Sequence, residues 1–133
     1  MANFHLQIVT PDRLVYDGEA ERIIVRTVQG DACILARHID YAAPLGTGIA
    51  TVGFEDGAAR TAACSGGLLS VSGGEVRVMA TTFEWEEEID LERAQKAQEE
   101  AEKKLAQLKH GDAAFAVAEA KLKRAMTRIQ VKA

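Results

Sequence analysis

Cysteine and histidine are scarce, and that scarcity excludes most metal chemistry. Cys33 and Cys64 are the only cysteines, so a four-ligand zinc site would need help from His5, His38 or His110, which show no ligand-like spacing. No metal site is assigned, and both thiols are expected to be free and buried. No apolar run approaches the ~18 residues of a membrane-spanning helix. The opening Met1-Ala2-Asn3-Phe4-His5-Leu6 lacks the basic segment and apolar stretch of a secretory signal, so a cytoplasmic location is expected. A net charge of -4 and a pI near 5.4 have the wrong sign for tracking a phosphate backbone, and nucleic acid is not an expected partner. Catalytic signatures are missing too. No Gly-x-x-x-x-Gly-Lys-Ser/Thr loop is present, and Ala63-Cys64-Ser65-Gly66-Gly67 is not a Gly-x-Ser-x-Gly elbow. No catalytic residue is assigned, and the chain is expected to work by binding partners.

What is present divides in two. The 133 residues, 47% hydrophobic and 27% charged, suit one globular core plus an appendage. Ten of the eleven glycines precede residue 75, and all seven lysines follow residue 95. Before that shift, Phe4 to Val9, Arg22 to Val28 and Val76 to Thr81 alternate or are β-branched. Turn signals separate them at Asp17-Gly18, Gln29-Gly30-Asp31, Glu55-Asp56-Gly57, Ser65-Gly66-Gly67 and Ser72-Gly73-Gly74. The reading is a β + α chain. An antiparallel β-sandwich of about ten strands fills residues 1–84. A linker follows over 85–89, its acids Glu86, Glu87 and Glu88 solvated. A two-helix antiparallel hairpin then occupies 90–133, with helices over about 90–109 and 113–130.

The hairpin rests on two apolar stripes. Leu91, Ala94, Ala97, Ala101, Leu105 and Leu108 form one, and Phe115, Ala118, Leu122, Ala125 and Ile129 the other, with Met126 also read as a seam residue. So many alanines bury little area, which makes the hairpin weakly held and able to move as a unit. Charge segregates as well: Glu84 to Lys109 carries nine acids against five bases, and Ala113 to Ala133 five bases against Glu119 alone. Trp85, the lone tryptophan, stands at the boundary and is expected to help dock the hairpin.

Three stretches together carry a family resemblance: Val9-Thr10-Pro11-Asp12-Arg13-Leu14-Val15-Tyr16-Asp17-Gly18, Ser65-Gly66-Gly67-Leu68-Leu69-Ser70-Val71 and Glu88-Ile89-Asp90-Leu91-Glu92-Arg93-Ala94. In this order they resemble the epsilon subunit of the bacterial F-type ATP synthase, over essentially the whole chain. The resemblance implies a non-catalytic rotor-stalk subunit, peripheral to the cytoplasmic face of the bacterial inner membrane. Its β-domain would bind the gamma subunit and the c ring. Its hairpin would fold on that domain or extend toward the alpha and beta subunits, the extended form blocking ATP hydrolysis. The family's Gly-x-x-Gly-Ile-Leu-Pro-Gly-His pattern falls on Gly30 to His38. Gly30, Ile34, Leu35 and His38 match, whereas Cys33, Ala36 and Arg37 depart. Gly30, Asp31 and His38 become the implied rotor contacts, and two lost glycines leave this loop's shape open.

No cofactor is required, but the resemblance implies regulatory ATP. Some family members bind it through Ile/Leu-Asp-x-x-Arg-Ala, which Ile89-Asp90-Leu91-Glu92-Arg93-Ala94 matches position for position. Lys123-Arg124-Ala125-Met126-Thr127-Arg128 resembles the second half. The implied ligand set is Glu84, Ile89, Asp90, Arg93, Ala94, Arg124 and Arg128, while Glu100 stands about where a further family arginine would fall. At about 1.5 Å per residue, Arg93 and Arg128 both lie roughly 25 Å from the Lys109-His110-Gly111-Asp112 turn, facing each other at the hairpin's open end. Asp90 reads equally as a helix N-cap, and the arginines as partners of the acidic first helix. A free-standing ATP-sensing regulator using the same residues is the alternative; binding to purified gamma subunit separates the two.

Overall fold

Phe4, Leu6 and Ile8 are buried while His5, Gln7 and Val9 are half-buried, the period of two that lays one face of a strand on a core. That strand opens a computed structural model describing residues 2–132. Eight strands come first: β1 Phe4–Thr10, β2 Arg13–Ala20, β3 Arg22–Thr27, β4 Gly30–Leu35, β5 Tyr41–Pro44, β6 Thr47–Gly53, β7 Ala59–Ser72 and β8 Glu75–Trp85. A 3₁₀ turn over Glu86–Glu88 leads to α1 Leu91–Gln107 and α2 Ala113–Lys132.

The strands hydrogen-bond in the order β2-β1-β8-β7-β6-β3-β4, with β5 also on β7; β1 and β8 run parallel and the other pairs antiparallel. At 14 and 11 residues, β7 and β8 serve both layers. Their Leu68–Ser72 and Glu75–Met79 halves join β5, β1 and β2, and their other halves join β6, β3 and β4. Counted by layer the segments number about ten; as continuous strands they are eight.

The difference arises at Ser65-Gly66-Gly67, where a turn is expected and the strand instead runs through. Gly66 and Gly67 take φ of 70° and 104°, yet the register holds on either side, Ser65 opposite Thr82 and Gly67 opposite Ala80. Across this point the buried positions change parity on both strands: Ala62 and Cys64 give way to Leu69 and Val71, and Phe83 and Trp85 correspond to Val76, Val78 and Ala80. Positive φ lets the chain cross between layers with only Gly66 left out of the ladder and the register kept on both sides.

One core fills the sandwich, with Leu6, Ile8, Ile23, Val25, Ile34, Val52, Leu69 and Val78 fully enclosed. Trp85 belongs to it rather than to the hairpin contact, packing edge-on to Phe83 at 5.0 Å under the Arg60 guanidinium at 3.7 Å. Cys64 is in the core, and burial pushes its thiol up to about 12. Cys33, expected buried, is exposed, because alternation on β4 turns Ala32 and Ile34 inward.

On the outer face of β1, the two ring nitrogens of His5 meet Asp17 of β2 and Glu75 of β8. Both nitrogens can donate only in the imidazolium, and the two carboxylates, Asp17 first, raise the His5 pKa above its ordinary 6.5. The stabilisation is therefore complete below the unfolded-state value near 6.5 and is lost as pH rises through the higher folded value. Urea titrations from pH 5 to 9 are expected to show a decline above pH ~6.5 that His5→Gln removes; parallel profiles for the two proteins would refute the clamp.

The hairpin begins where Asp90 caps α1, its carboxylate accepting from the Arg93 backbone N–H at 3.1 Å. Ala94, Ala101, Ala118 and Ala125 are buried. Larger stripe residues such as Leu105, Leu122 and Ile129 stay half-buried, and Met126, one position off the seam, is 50% exposed. Only α2 among the helices lies broadly on the sandwich, against β6 and β7, where Val131 joins Ile89 and Ala63 with Ile49 at the margin. The Arg128 Nε donates to Glu84 Oε1, and Lys132 Nζ donates to the Glu86 carbonyl at 3.1 Å. The linker acids are not simply solvated. Arg13 binds Glu88 at 3.0 Å and holds its carboxyl below the usual range, Arg60 pairs with Glu87, and Thr61 donates to Glu86 at 3.1 Å. The 3₁₀ turn is thus fastened to the sandwich, and the first unfastened position is beyond it.

Candidate functional site

The N-terminus of α1, the C-terminal half of α2 and the end of β8 converge because the short turn makes the helices antiparallel and the linker is pinned. Between them lies a cavity of about 470 Å³, within the range of small-molecule sites. Glu84, Asp90, Arg93, Ala94, Arg124 and Arg128, all singled out from the sequence, line it together. Ile89 does not: its side chain is turned away into the contact with Ala63 and Val131 and is 4% exposed.

The cavity also extends further toward the turn than the motif residues suggest. Ala97, Glu100 and Lys104 continue the Arg93 face of α1 at helical spacing, and Lys121 continues the Arg124 and Arg128 face of α2. That i, i+3/i+4 repeat was the available signal. Five cations and four acids therefore share the walls. Arg128 is held by Glu84, with the two side chains 28% and 33% exposed. Among the described residues the side chains of Arg93 and Arg124 make no ion pair, leaving planar donors suited to phosphate or carboxylate oxygens. Glu84 and Asp90 place acceptors at the open end, beside the apolar Ala94. The arrangement can bind an anionic ligand that also carries hydrogen-bond donors.

The proposed rotor residues lie elsewhere and are not one cluster. Gly30 and Asp31 start β4, with Asp31 bound to Arg26 at 3.0 Å, and His38 follows the other end of a strand about 17 Å long. The His38 Nδ1 donates to the Ile39 carbonyl at 2.7 Å, and its ring faces Tyr41 at 5.8 Å, amid the exposed Leu35 and Ile39. The open question of loop shape has an answer at Arg37, which holds φ at 65° where the family pattern has glycine. A left-handed, non-glycine residue is strained. Arg37→Gly is expected to raise unfolding stability by about 1 kcal/mol, read from urea midpoints; a lower midpoint would show that the arginine side chain outweighs the strain.

The chain matches two family models in tandem. "ATP synthase, Delta/Epsilon chain, beta-sandwich domain" spans residues 3–86, and "ATP synthase, Delta/Epsilon chain, long alpha-helix domain" spans 87–133. It is 43% identical to the ATP synthase epsilon chain of Caldanaerobacter subterraneus, covering 96% of this chain and 92% of that one. It is 41% identical to the epsilon chain of Shouchella clausii, covering 98% and 96%. Among solved structures, a chain of the Euglena gracilis mitochondrial ATP synthase OSCP/F1/c-ring assembly superimposes with a TM-score of 0.82 at 28% identity, covering 96% of this chain and 79% of that one. A chain of the Tetrahymena thermophila central stalk and c ring shares the fold at a TM-score of 0.61 and 13% identity, covering 97% and 96%.

Proposed function

The chain belongs to the epsilon-chain family of ATP synthase and is a non-catalytic subunit, and from that premise we propose that its hairpin regulates ATP hydrolysis under the control of a bound nucleotide. The sandwich anchors it to the gamma subunit and the c ring, on the cytoplasmic face of the bacterial membrane, and the extended hairpin reaches the alpha and beta subunits. Among the described residues no helix is long and apolar enough to cross a membrane, consistent with a peripheral place.

The observation that carries the reading is the position of the cavity. Most of its walls come from α1 and α2, and Glu84 of β8 with Glu88 of the pinned turn closes one side, so it is complete only while the hairpin is folded on the sandwich. A ligand filling it binds the folded state alone and stabilises it by RT ln(1 + [L]/Kd), about 2.7 kcal/mol at a hundredfold excess over Kd. The docking it reinforces is modest: α2 lies against β6 and β7, and its buried apolar cluster is Val131, Ile89 and Ala63 with Ile49, beside the Glu84 pair and the Lys132 contact. Two placements of the hairpin therefore differ by little, which ligand binding can tip. Adenine and ribose donors suit Glu84 and Asp90, and phosphates suit Arg93, Arg124 and Arg128.

Calorimetric titration of ATP into the folded chain tests the nucleotide part; heat with a one-to-one endpoint is expected, and none at millimolar ATP would remove it. Capture by purified gamma subunit is expected to succeed, whereas a free-standing sensor would elute alone.

A further inference from the structure

We propose that Glu100 sets the affinity of the hairpin cavity and grades it by the number of phosphates on the nucleotide. The inference rests on the nucleotide reading above and concerns what this chain does differently inside the same cavity. Four acids line the walls, and three are already engaged: Glu84 holds Arg128, Glu88 holds Arg13 and the Trp85 N–H, and Asp90 caps α1. Glu100, among the described residues, has neither a hydrogen bond nor an ion pair. It is an uncompensated carboxylate facing a space whose other free groups are cations.

Its level in the cavity follows from the helices. Glu100 stands two turns beyond Arg93 on one face of α1, about 10 Å closer to the hairpin turn, and Lys104 follows one turn later. With Arg93 and Arg128 both at the open end, antiparallel pairing puts Glu100 level with Lys121. A nucleoside held by Glu84 and Asp90 sends its phosphate chain along this axis. The first phosphates meet Arg93, Arg124 and Arg128; the last approaches Lys104 and Lys121, for which Glu100 competes. Each added phosphate therefore gains a cation and also meets the repulsion of an exposed carboxylate at short range. AMP, ending at the arginines, is spared.

Calorimetry with AMP, ADP and ATP on the full-length chain and Glu100→Gln, both verified as folded by circular dichroism, tests this. The expected result is ATP binding about tenfold tighter to Glu100→Gln, a smaller gain for ADP, and AMP unchanged within about twofold. Magnesium ion should tighten ATP binding to the wild-type chain, by screening Glu100 from the phosphates, more than to the variant. Equal shifts for all three nucleotides, or no shift while the wild-type chain binds ATP, would overturn the role of Glu100 and leave the nucleotide site standing. Absence of binding by either protein would overturn both.

Discussion

Replacing Gly67 with alanine is expected to cost about 3 kcal/mol or more of unfolding stability, the largest effect of any single methyl group in the sandwich. Two penalties coincide there. The backbone sits at φ 104°, which L-residues with a Cβ rarely adopt, and an added Cβ would lie 1.9 Å from the Met79 carbonyl oxygen and 2.8 Å from the Ala80 Cα. Both obstacles are backbone of the adjoining strand β8, so relief means moving the β7–β8 ladder where it crosses between layers. Gly66 is the internal comparison. Its φ is 70°, and its Cβ would meet the Thr81 hydroxyl at 2.9 Å, a side-chain atom able to rotate away. Gly66→Ala should cost only about 1 kcal/mol. Urea midpoints of the two variants check the difference, and equal losses would mean that the crossing is not the constrained point described.

Val131→Asp should release the hairpin while leaving the sandwich folded. Val131 is 8% exposed and meets Ile89 and Ala63 in a buried apolar cluster between the two parts. A carboxylate there has no cation given to it by the contact, and burying it costs about 2–3 kcal/mol, or roughly 30- to 160-fold in the docking equilibrium. The remaining Glu84–Arg128 pair, a third exposed, contributes about 1 kcal/mol at most and cannot compensate. Hydrogen exchange is expected to speed up by that factor in α2 amides and to stay unchanged in β1 through β8. Uniform acceleration across both parts would mean that they unfold as one unit.

The division into sandwich and hairpin was legible because period and composition change together, glycine giving way to lysine and alternation to helical spacing. What escaped were consequences of contacts that periodicity does not encode. Gly66-Gly67 looks like a turn because the sequence cannot show that Ala80 lies opposite Gly67 and that pairing with β8 resumes in the same register. Trp85 looks like a docking residue by its position, but it continues the inward face of β8 begun by Phe83. Ile89 stands inside a ligand motif and yet serves as the docking residue, because the pinned 3₁₀ turn fixes its direction. Cavity residues within the motifs were readable from the sequence; for Lys104 and Lys121 the sequence offered only the helical repeat, whose meaning appears when the two helical faces are brought level.

Arg13, Arg60 and Thr61 fasten residues 86 to 88 to the sandwich, so a moving hairpin pivots beyond Glu88. A chain ending at Glu88 therefore keeps the anchor and loses the whole arm. The decisive measurement is ATP hydrolysis by a complex assembled with gamma, alpha and beta subunits and either the full chain or the chain ending at Glu88. The account predicts that both chains bind the gamma subunit and that hydrolysis is inhibited only by the full chain, with inhibition easing as ATP rises. Equal hydrolysis with the two chains would contradict it.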